Sequence, residues 1–261
     1  MPPATPVVNQ IDHLMIEAED PSFLFRLFSE TLGMTVAWPL EDFGDLVSGG
    51  ICAGNVNLEF IRFKRERFGS APPSLAKGEA VFSGLAFEPY DSTASALEAL
   101  DRRGIPHEEP HDTPNWTDAG FDGPLDAPCV TFLAEYHFDF RGWRRTLRTD
   151  LEGKQGGKLG VREAREIRLE AAELSRAEIL WDTLLEPHSR PSPHAWAFTG
   201  GPLLRLVPGQ RDAIRELVLG VGSLKHAREQ LSRLGLLGDN SARHVGILPA
   251  ALQGLSIRLE E

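Results

Sequence analysis

Residues 9–34 read NQIDHLMIEAEDPSFLFRLFSETLGM. Ile11–Ala18 reads as a strand. Asp20 is suited to cap a helix and Pro21 to occupy its first position. Phe23, Leu24, Leu27, Phe28 and Leu32 then recur at helical spacing, and Gly33 is the expected stop. The stretch is therefore a strand running into a capped amphipathic helix. In the middle of the strand stands His13, a residue type that serves either as a metal ligand or as an ordinary partly buried ring.

The same order of elements recurs along the chain. Trp38–Pro39 and Asp45–Gly50 bracket a further strand. Asn55–Phe63 (NVNLEFIRF) alternates Val56, Leu58, Phe60 and Arg62 against Asn57, Glu59, Ile61 and Phe63. A second unit opens at Val81–Glu88, with a helix over Ser92–Arg103 stopped by Gly104. A long loop follows at 107–128, then a strand over Cys129–Phe140 (CVTFLAEYHFDF). Loops of this length are commonly functional or mobile; His107 and His111 read as solvated residues that a lid would bring near a substrate, and Trp116 as a loop anchor that could also pack over an apolar ligand. Residues 149–163 (TDLEGKQGGKLGVRE) are polar and glycine-rich and mark a boundary. A strand near Glu166–Ala172 opens the third unit. Its helix is announced by Ser175 and Glu178 as a capping box, and strands are expected at Ala195–Thr199 and Pro202–Val207. The fourth unit has a strand at Ile214–Val221, a helix over Ser223–Leu234 stopped by Gly235, and strands at His244–Leu248 and Leu255–Glu260.

LFSETLG (27–33) resembles LWDTLLE (180–186), and ALEALDRRGI (96–105) resembles AREQLSRLGL (227–236). Units one and three match, as do two and four. The expected fold is α+β, with four βαβββ units paired into two similar domains: 1–148, a linker at 149–163, and 164–261. Strands and helices do not alternate singly, which excludes a doubly wound parallel sheet.

At 261 residues the chain can build two cores. A net charge of −11 and a pI near 5.3 argue against a nucleic-acid partner. No run approaches the roughly 18 apolar residues of a membrane span. The opening MPPATPVVNQ reads as a short loose lead-in without the basic and apolar regions of a signal peptide. Cys52 and Cys129 are too few for a disulfide framework and accord with a reducing cytoplasm.

IDHLMIEAEDPSFLFRLFSETLGM followed by GNVNLEFI resembles the opening of the vicinal oxygen chelate superfamily, the group of glyoxalase I, bleomycin-resistance proteins and extradiol dioxygenases. YHFDFRGW adds a likeness to its glyoxalase-like domain proteins. The match is good over 11–63, fair over 81–145, and rests on element order beyond 163. The resemblance implies paired units whose mixed sheets curl into a cup. The cup would hold one divalent metal ion (Fe, Mn, Ni, Co or Zn) and a small oxygenated organic molecule, with lyase, isomerase or dioxygenase chemistry.

On that resemblance His13 is the first ligand and Glu59 the glutamate of the last strand in unit one. The histidine normally supplied by the first strand of unit two falls near Gly84, which has no side chain to offer. A catalytic divalent ion needs two or three fixed donors and an open position, so a substitute is sought in strand 129–140. There Thr131, Leu133, Glu135, His137 and Asp139 share one face, and Val130, Phe132, Ala134, Tyr136, Phe138 and Phe140 the other. The apolar face is expected under the helix and the polar face along the cavity. His13, Glu59 and His137 would then form a two-His, one-carboxylate centre, with Glu135 as general base or alternative ligand. The plainer roles are a hydrogen-bonded strand histidine for His13, a solvent-facing carboxylate for Glu59, and structural positions for His137 and Glu135.

The C-terminal half lacks this set. Arg165 or Ile167 stands for His13, Leu204 or Arg205 for Glu59, and only Glu260 keeps a family-like place. This half is expected to be metal-free and to shape the cavity or supply an interface, as in a homodimer. The arrangement is opposite to that of the extradiol dioxygenases, whose C-terminal half holds the iron. No P-loop, dinucleotide GxGxxG, CxxC or GxSxG occurs. Three functions stay open: a metal-dependent enzyme, a non-catalytic protein that binds drug-like small molecules in the same cavity, and a regulatory or interaction module with a degenerate cavity.

Overall fold

The computed structural model of the chain describes residues 6–261. Of the lead-in at 1–10, residues 1–5 lie outside them and Val8–Gln10 begins the first strand. Unit one runs β1 (Val8–Ala18), α1 (Pro21–Arg26) with a π-turn at Leu27–Thr31, β2 (Val36–Asp42), β3 (Leu46–Cys52) and β4 (Asn57–Phe63). Unit two runs β5 (Ala80–Pro89), α2 (Thr93–Arg103), β6 (His111–Asp112), β7 (Trp116–Phe121) and β8 (Val130–Tyr136), and is followed by α3 (Phe140–Gly153). Unit three is β9 (Val161–Ala171), α4 (Leu174–Leu185), β10 (Ser189–Ser192), β11 (Ala195–Ala197) and β12 (Leu203–Pro208). Unit four is β13 (Ala213–Val221), α5 (Leu224–Leu234), β14 (Leu237–Asn240), β15 (Val245–Ile247) and β16 (Ile257–Glu260).

These strands form two eight-stranded mixed sheets. Their orders are β2-β3-β4-β1-β5-β8-β7-β6 and β10-β11-β12-β9-β13-β16-β15-β14. The second order repeats the first, strand for strand, so each sheet is one pair of βαβββ units. Within each sheet the pair joins through the opening strands, β1 antiparallel to β5 and β9 antiparallel to β13. No helix among the described residues is long and apolar enough to cross a membrane.

Local chemistry explains the helix ends. Asp20 accepts a hydrogen bond from the Ser22 N–H, and Ser92 and Ser223 do the same for Ser95 and His226. Gly104 and Gly235 close α2 and α5 in the left-handed conformation. The capping box at Ser175 and Glu178 does not form. The cap residue of α4 is Glu173, without a side-chain bond, and Glu178 pairs instead with Arg190 and His194.

Strand alternation divides the first sheet into two faces. Leu14 and Ile16 of β1, Leu58 and Phe60 of β4, Leu85 and Phe87 of β5, and Leu133 of β8 are buried in one core with Leu24, Phe28, Leu97 and Leu100 of the helical layer. Met15, Ile61, Phe63, Ala86, Phe132 and Ala134 form a separate cluster on the other face. The main core also contains Leu169, Trp181, Trp196, Leu217 and Leu231, so the two halves share it.

Two stretches differ from their expected form. The loop at 107–128 contains β6 and β7, and β7 pairs with β8 along its whole length. The segment at 149–163 is not an open linker. It holds the last turn of α3, a 3₁₀ turn at Gly157–Leu159 and the start of β9.

Candidate functional site

The second face of the first sheet lines a cavity of about 410 Å³. His13 and Met15 of β1, Glu59 and Ile61 of β4, Phe132, Ala134 and Tyr136 of β8, and Trp143 of α3 all reach it. It lies within the range of small-molecule sites, roughly 300–1,000 Å³. Its walls are mostly aromatic and aliphatic, and its ionisable lining among the described residues is His13, Glu59, Arg67, Asp118 and the Tyr136 hydroxyl.

His13 and Glu59 come together. His13 Nε2 lies 3.1 Å from Glu59 Oε2, with the two residues only 6 % and 9 % exposed. His13 Nδ1 lies 2.6 Å from Asp12 Oδ2. Neighbours on a regular strand point to opposite faces. The pairing of β1 with β5 shifts register between Ile11 and His13, and such an irregularity re-aims side chains, which allows Asp12 and His13 to meet.

Asp12 is fully buried, and both of its oxygens are engaged. Its Oδ2 also accepts the Tyr136 hydroxyl at 2.9 Å, and its Oδ1 accepts Arg144 Nη2 at 2.5 Å. Arg144, on α3, reaches Glu88 as well and lies over the Phe140 ring at 4.4 Å. Ser48 Oγ donates to Glu59 Oε1 at 2.6 Å and accepts the Trp38 indole N–H at 3.0 Å. Gly50 makes this possible, because a Cβ there would stand 2.2 Å from the Trp38 ring. Edge-on contacts from Phe132 (5.4 Å between ring centres) and Trp38 (6.1 Å) complete the setting of the imidazole.

These contacts set the charges. Burial pushes the Asp12 carboxyl up, but the His13 hydrogen bond and the Arg144 charge outweigh it and bring it down to about 2. Burial pushes His13 down, but the Glu59 charge and the Asp12 hydrogen bond raise it to about 10. Burial and the Asp12 charge raise the Tyr136 hydroxyl well above its ordinary value.

Glu135 and His137 are not brought to this place. The expected assignment of the β8 faces is reversed: Phe132, Ala134 and Tyr136 line the cavity, while Leu133 points into the main core. Glu135 Oε2 accepts the Thr93 N–H at the start of α2 at 2.6 Å, and His137 Nε2 meets the Thr117 hydroxyl at 2.9 Å. The physical reason is that this cup is itself apolar, so the carbon-rich face of β8 turns toward it. The polar face satisfies backbone and hydroxyl groups of α2 and β7 instead.

Of the loop residues, Trp116 lies on β7 and lines the cavity mouth. His111 approaches Asp118 at 3.4 Å, and His107 bonds Asp101 and the Glu108 carbonyl. Asp12, Trp38, Ser48, Tyr136 and Arg144 also belong to the site, joined to it by contacts that local sequence does not mark. The available signals were the Asp12–His13 dipeptide and the Phe140, Trp143, Leu147, Leu151 spacing of α3.

The residues present do not fit a three-donor metal centre. His13 and Glu59 are bonded to each other and both are further engaged. At Gly84 an added Cβ would stand 2.6 Å from the Val130 carbonyl oxygen and 3.1 Å from Met15 Sδ, so the strands leave no room for a third ligand. Ala86, the cross-strand partner of His13, and Phe132 and Ala134 contribute only carbon. Among the described residues, none of the unpartnered buried polar atoms lines the cup. Among the described residues no group of three His, Cys, Asp or Glu could hold a metal ion.

The second sheet fills its corresponding face with charge. Arg168 of β9 pairs with Glu166 and Glu216 at 2.5 Å each and with Glu260 at 3.6 Å. Arg205 reaches Glu166 at 2.9 Å and Arg258 reaches Glu216 at 3.2 Å.

No family profile matches the chain, and no curated protein matches it. Solved structures do. An extradiol ring-cleaving dioxygenase from B. fuscum aligns over 99% of this chain and 73% of its own, with a TM-score of 0.62 and 11% identity. The 2,3-dioxygenase LapB from Pseudomonas sp. KL28 aligns over 98% and 93%, with a TM-score of 0.60 and 11% identity. A hypothetical protein from Staphylococcus aureus aligns over 96% and 98%, with a TM-score of 0.60 and 10% identity. Duplicated sheets of paired βαβββ units, matched nearly end to end by ring-cleaving dioxygenases, give the chain the vicinal oxygen chelate fold.

Proposed function

We propose that the N-terminal cup is the working site of this protein and that it takes a small, largely apolar organic molecule. The observation that carries this reading is the buried His13–Glu59 pair at the floor of a cavity whose walls are otherwise rings and aliphatic carbon. A convergent polar group inside an apolar concavity is the usual form of a small-ligand site. The walls supply affinity through area removed from water, and the polar pair supplies orientation. Asp12, Tyr136 and Arg144 hold the His13 ring still, which favours a preorganised site.

The test is a titration with a neutral bicyclic hydrocarbon such as naphthalene, followed by the fluorescence of Trp38, Trp116 and Trp143. Saturable quenching is expected in the wild type and its loss in Ala134→Trp, which fills the cup. Unchanged quenching in that variant would remove the cup from consideration.

A divalent-metal-dependent enzyme of the vicinal oxygen chelate type is the second reading. The convergence of His13 and Glu59 from neighbouring strands favours it, and the missing third donor weighs against it. Metal analysis of the purified protein decides between them. One equivalent of Fe, Mn, Ni, Co or Zn, lost in Glu59→Ala, would favour the enzyme; metal-free protein that binds the hydrocarbon would favour the binding site.

A further inference from the structure

Around the His13–Glu59 pair, at the deep end of the N-terminal cup, the hydrogen-bond donors of His13, Ser48, Trp38 and Tyr136 are already engaged. Both His13 ring nitrogens are engaged, Nδ1 with Asp12 and Nε2 with Glu59. The Ser48 hydroxyl donates to Glu59 and the Trp38 N–H to Ser48. The Tyr136 hydroxyl donates to Asp12. What is left is acceptor capacity. A carboxylate offers about four lone-pair sites, and Ser48 and His13 engage Glu59 at one site on each oxygen. The other polar side chains that line the cavity are Arg67 and Asp118, bonded to each other at 2.6 Å, Asn115, Trp116, whose indole N–H donates to Asp118, and Trp143, whose indole N–H lies outside the His13–Glu59 group.

A polar group that enters such a desolvated end must be matched there or carry the cost of being left unpaired. An N–H or O–H would find the waiting lone pairs of Glu59. At that pair a carbonyl oxygen or a ring nitrogen would find acceptors and no disengaged donor, and a carboxylate would also meet a like charge. The rest of the ligand would lie against Phe132 and Trp143, which suits a flat ring system. Walls of carbon disfavour a net charge on it.

Resting on the binding reading above, we propose that the cup selects an uncharged aromatic molecule that presents an N–H or O–H donor to Glu59 at its deep end, and discriminates against isosteres that present only an acceptor.

The test uses ¹⁹F NMR titration of the full chain with four probes: 5-fluoroindole, 1-methyl-5-fluoroindole, 6-fluoroquinoline and 1-fluoronaphthalene. The expected result is that 5-fluoroindole binds about tenfold more tightly than its N-methyl form and more tightly than the quinoline. Tenfold corresponds to about 1.4 kcal/mol. In Glu59→Gln, which adds a donor at the floor, that gap narrows and the quinoline gains. Retained binding of 1-fluoronaphthalene shows that the variant keeps its cup. Equal binding of the two indoles by the wild type, or tighter binding of the quinoline, overturns the donor preference while fluoronaphthalene binding preserves the cup reading. If none of the four probes binds, both are overturned.

Discussion

Glu59 and Arg205 hold the same register in the two sheets and carry opposite charges. Glu59 pairs with Met15, the eighth residue of β1, and Arg205 pairs with Arg168, the eighth residue of β9. Two residues earlier in each strand stand His13 and Glu166. The His13–Glu59 pair of the open cup is thus replaced by an inverted Glu166–Arg205 pair, at 2.9 Å, in the filled one. Glu166 is the counterpart of His13, in place of the expected Arg165 or Ile167.

That filled face should be sensitive to loss of its central cation. Arg168→Met leaves the nearly buried Glu166 and Glu216 without their main partner. Removing one member of a buried pair is strongly destabilising, and about 3 kcal/mol is expected here. Urea unfolding measures the loss, and binding in the N-terminal cup should not change.

Arg144→Met should act on acid stability. Asp12 is held at about 2, below its ordinary 3.8, so its contribution is present above pH 3.8 and lost as pH falls through 2. Without Arg144 the folded value rises and the contribution shrinks. The variant should therefore be less stable than the wild type at pH 7, with the gap closing toward pH 2. Urea midpoints across that range check it.

Glu17 gives the opposite slope. It is buried, and burial outweighs Arg62 to bring its carboxyl up to about 7 from 4.5. The folded protein then binds a proton more tightly than the unfolded chain. Stability should fall as pH rises from about 4.5 to about 7 and level off above. Glu17→Gln should remove this slope and gain on the wild type at pH 8, as read by thermal midpoints. A wild type and variant that track each other in parallel would refute the assignment.

Phe68 bears on entry to the cup. It has a left-handed backbone (φ 51°), unusual for a bulky residue, and its ring stacks on Phe132 at 4.5 Å. Arg67 beside it is tied to Asp118. Phe68→Gly should relieve the backbone and clear the ring, raising the association rate of an aromatic probe on the order of tenfold. Stopped-flow quenching of the cavity tryptophans reads the rate.

Much of the fold was legible because caps and periodicity are local. Asp20, Ser92, Ser223, Gly104 and Gly235 mark helix ends where the structure has them. The sheet pairing followed from repeated element order. The site was less legible. Alternation along β8 reveals two faces but not which one meets the helices, and Glu135 and His137 lie on the side away from the cup. The groups that fix His13 lie far along the chain, Tyr136 at 124 residues and Arg144 at 132 from Asp12, beyond any local pattern. Strand β7 was hidden by the polar and proline-rich residues around it, and α3 by its direct continuation from β8.

Helix α3 sets a limit on how this protein can be divided. It starts after the last strand of the first sheet, yet it supplies Trp143 to the cup and Arg144 to Asp12, and Asp150 accepts the Thr35 hydroxyl at 2.8 Å. A fragment ending with β8 would keep every strand of its sheet and still lack a wall of its own cavity. Any recombination of the two halves with those of related proteins therefore has to place its crossover after residue 153, with the connecting helix inherited by the N-terminal partner.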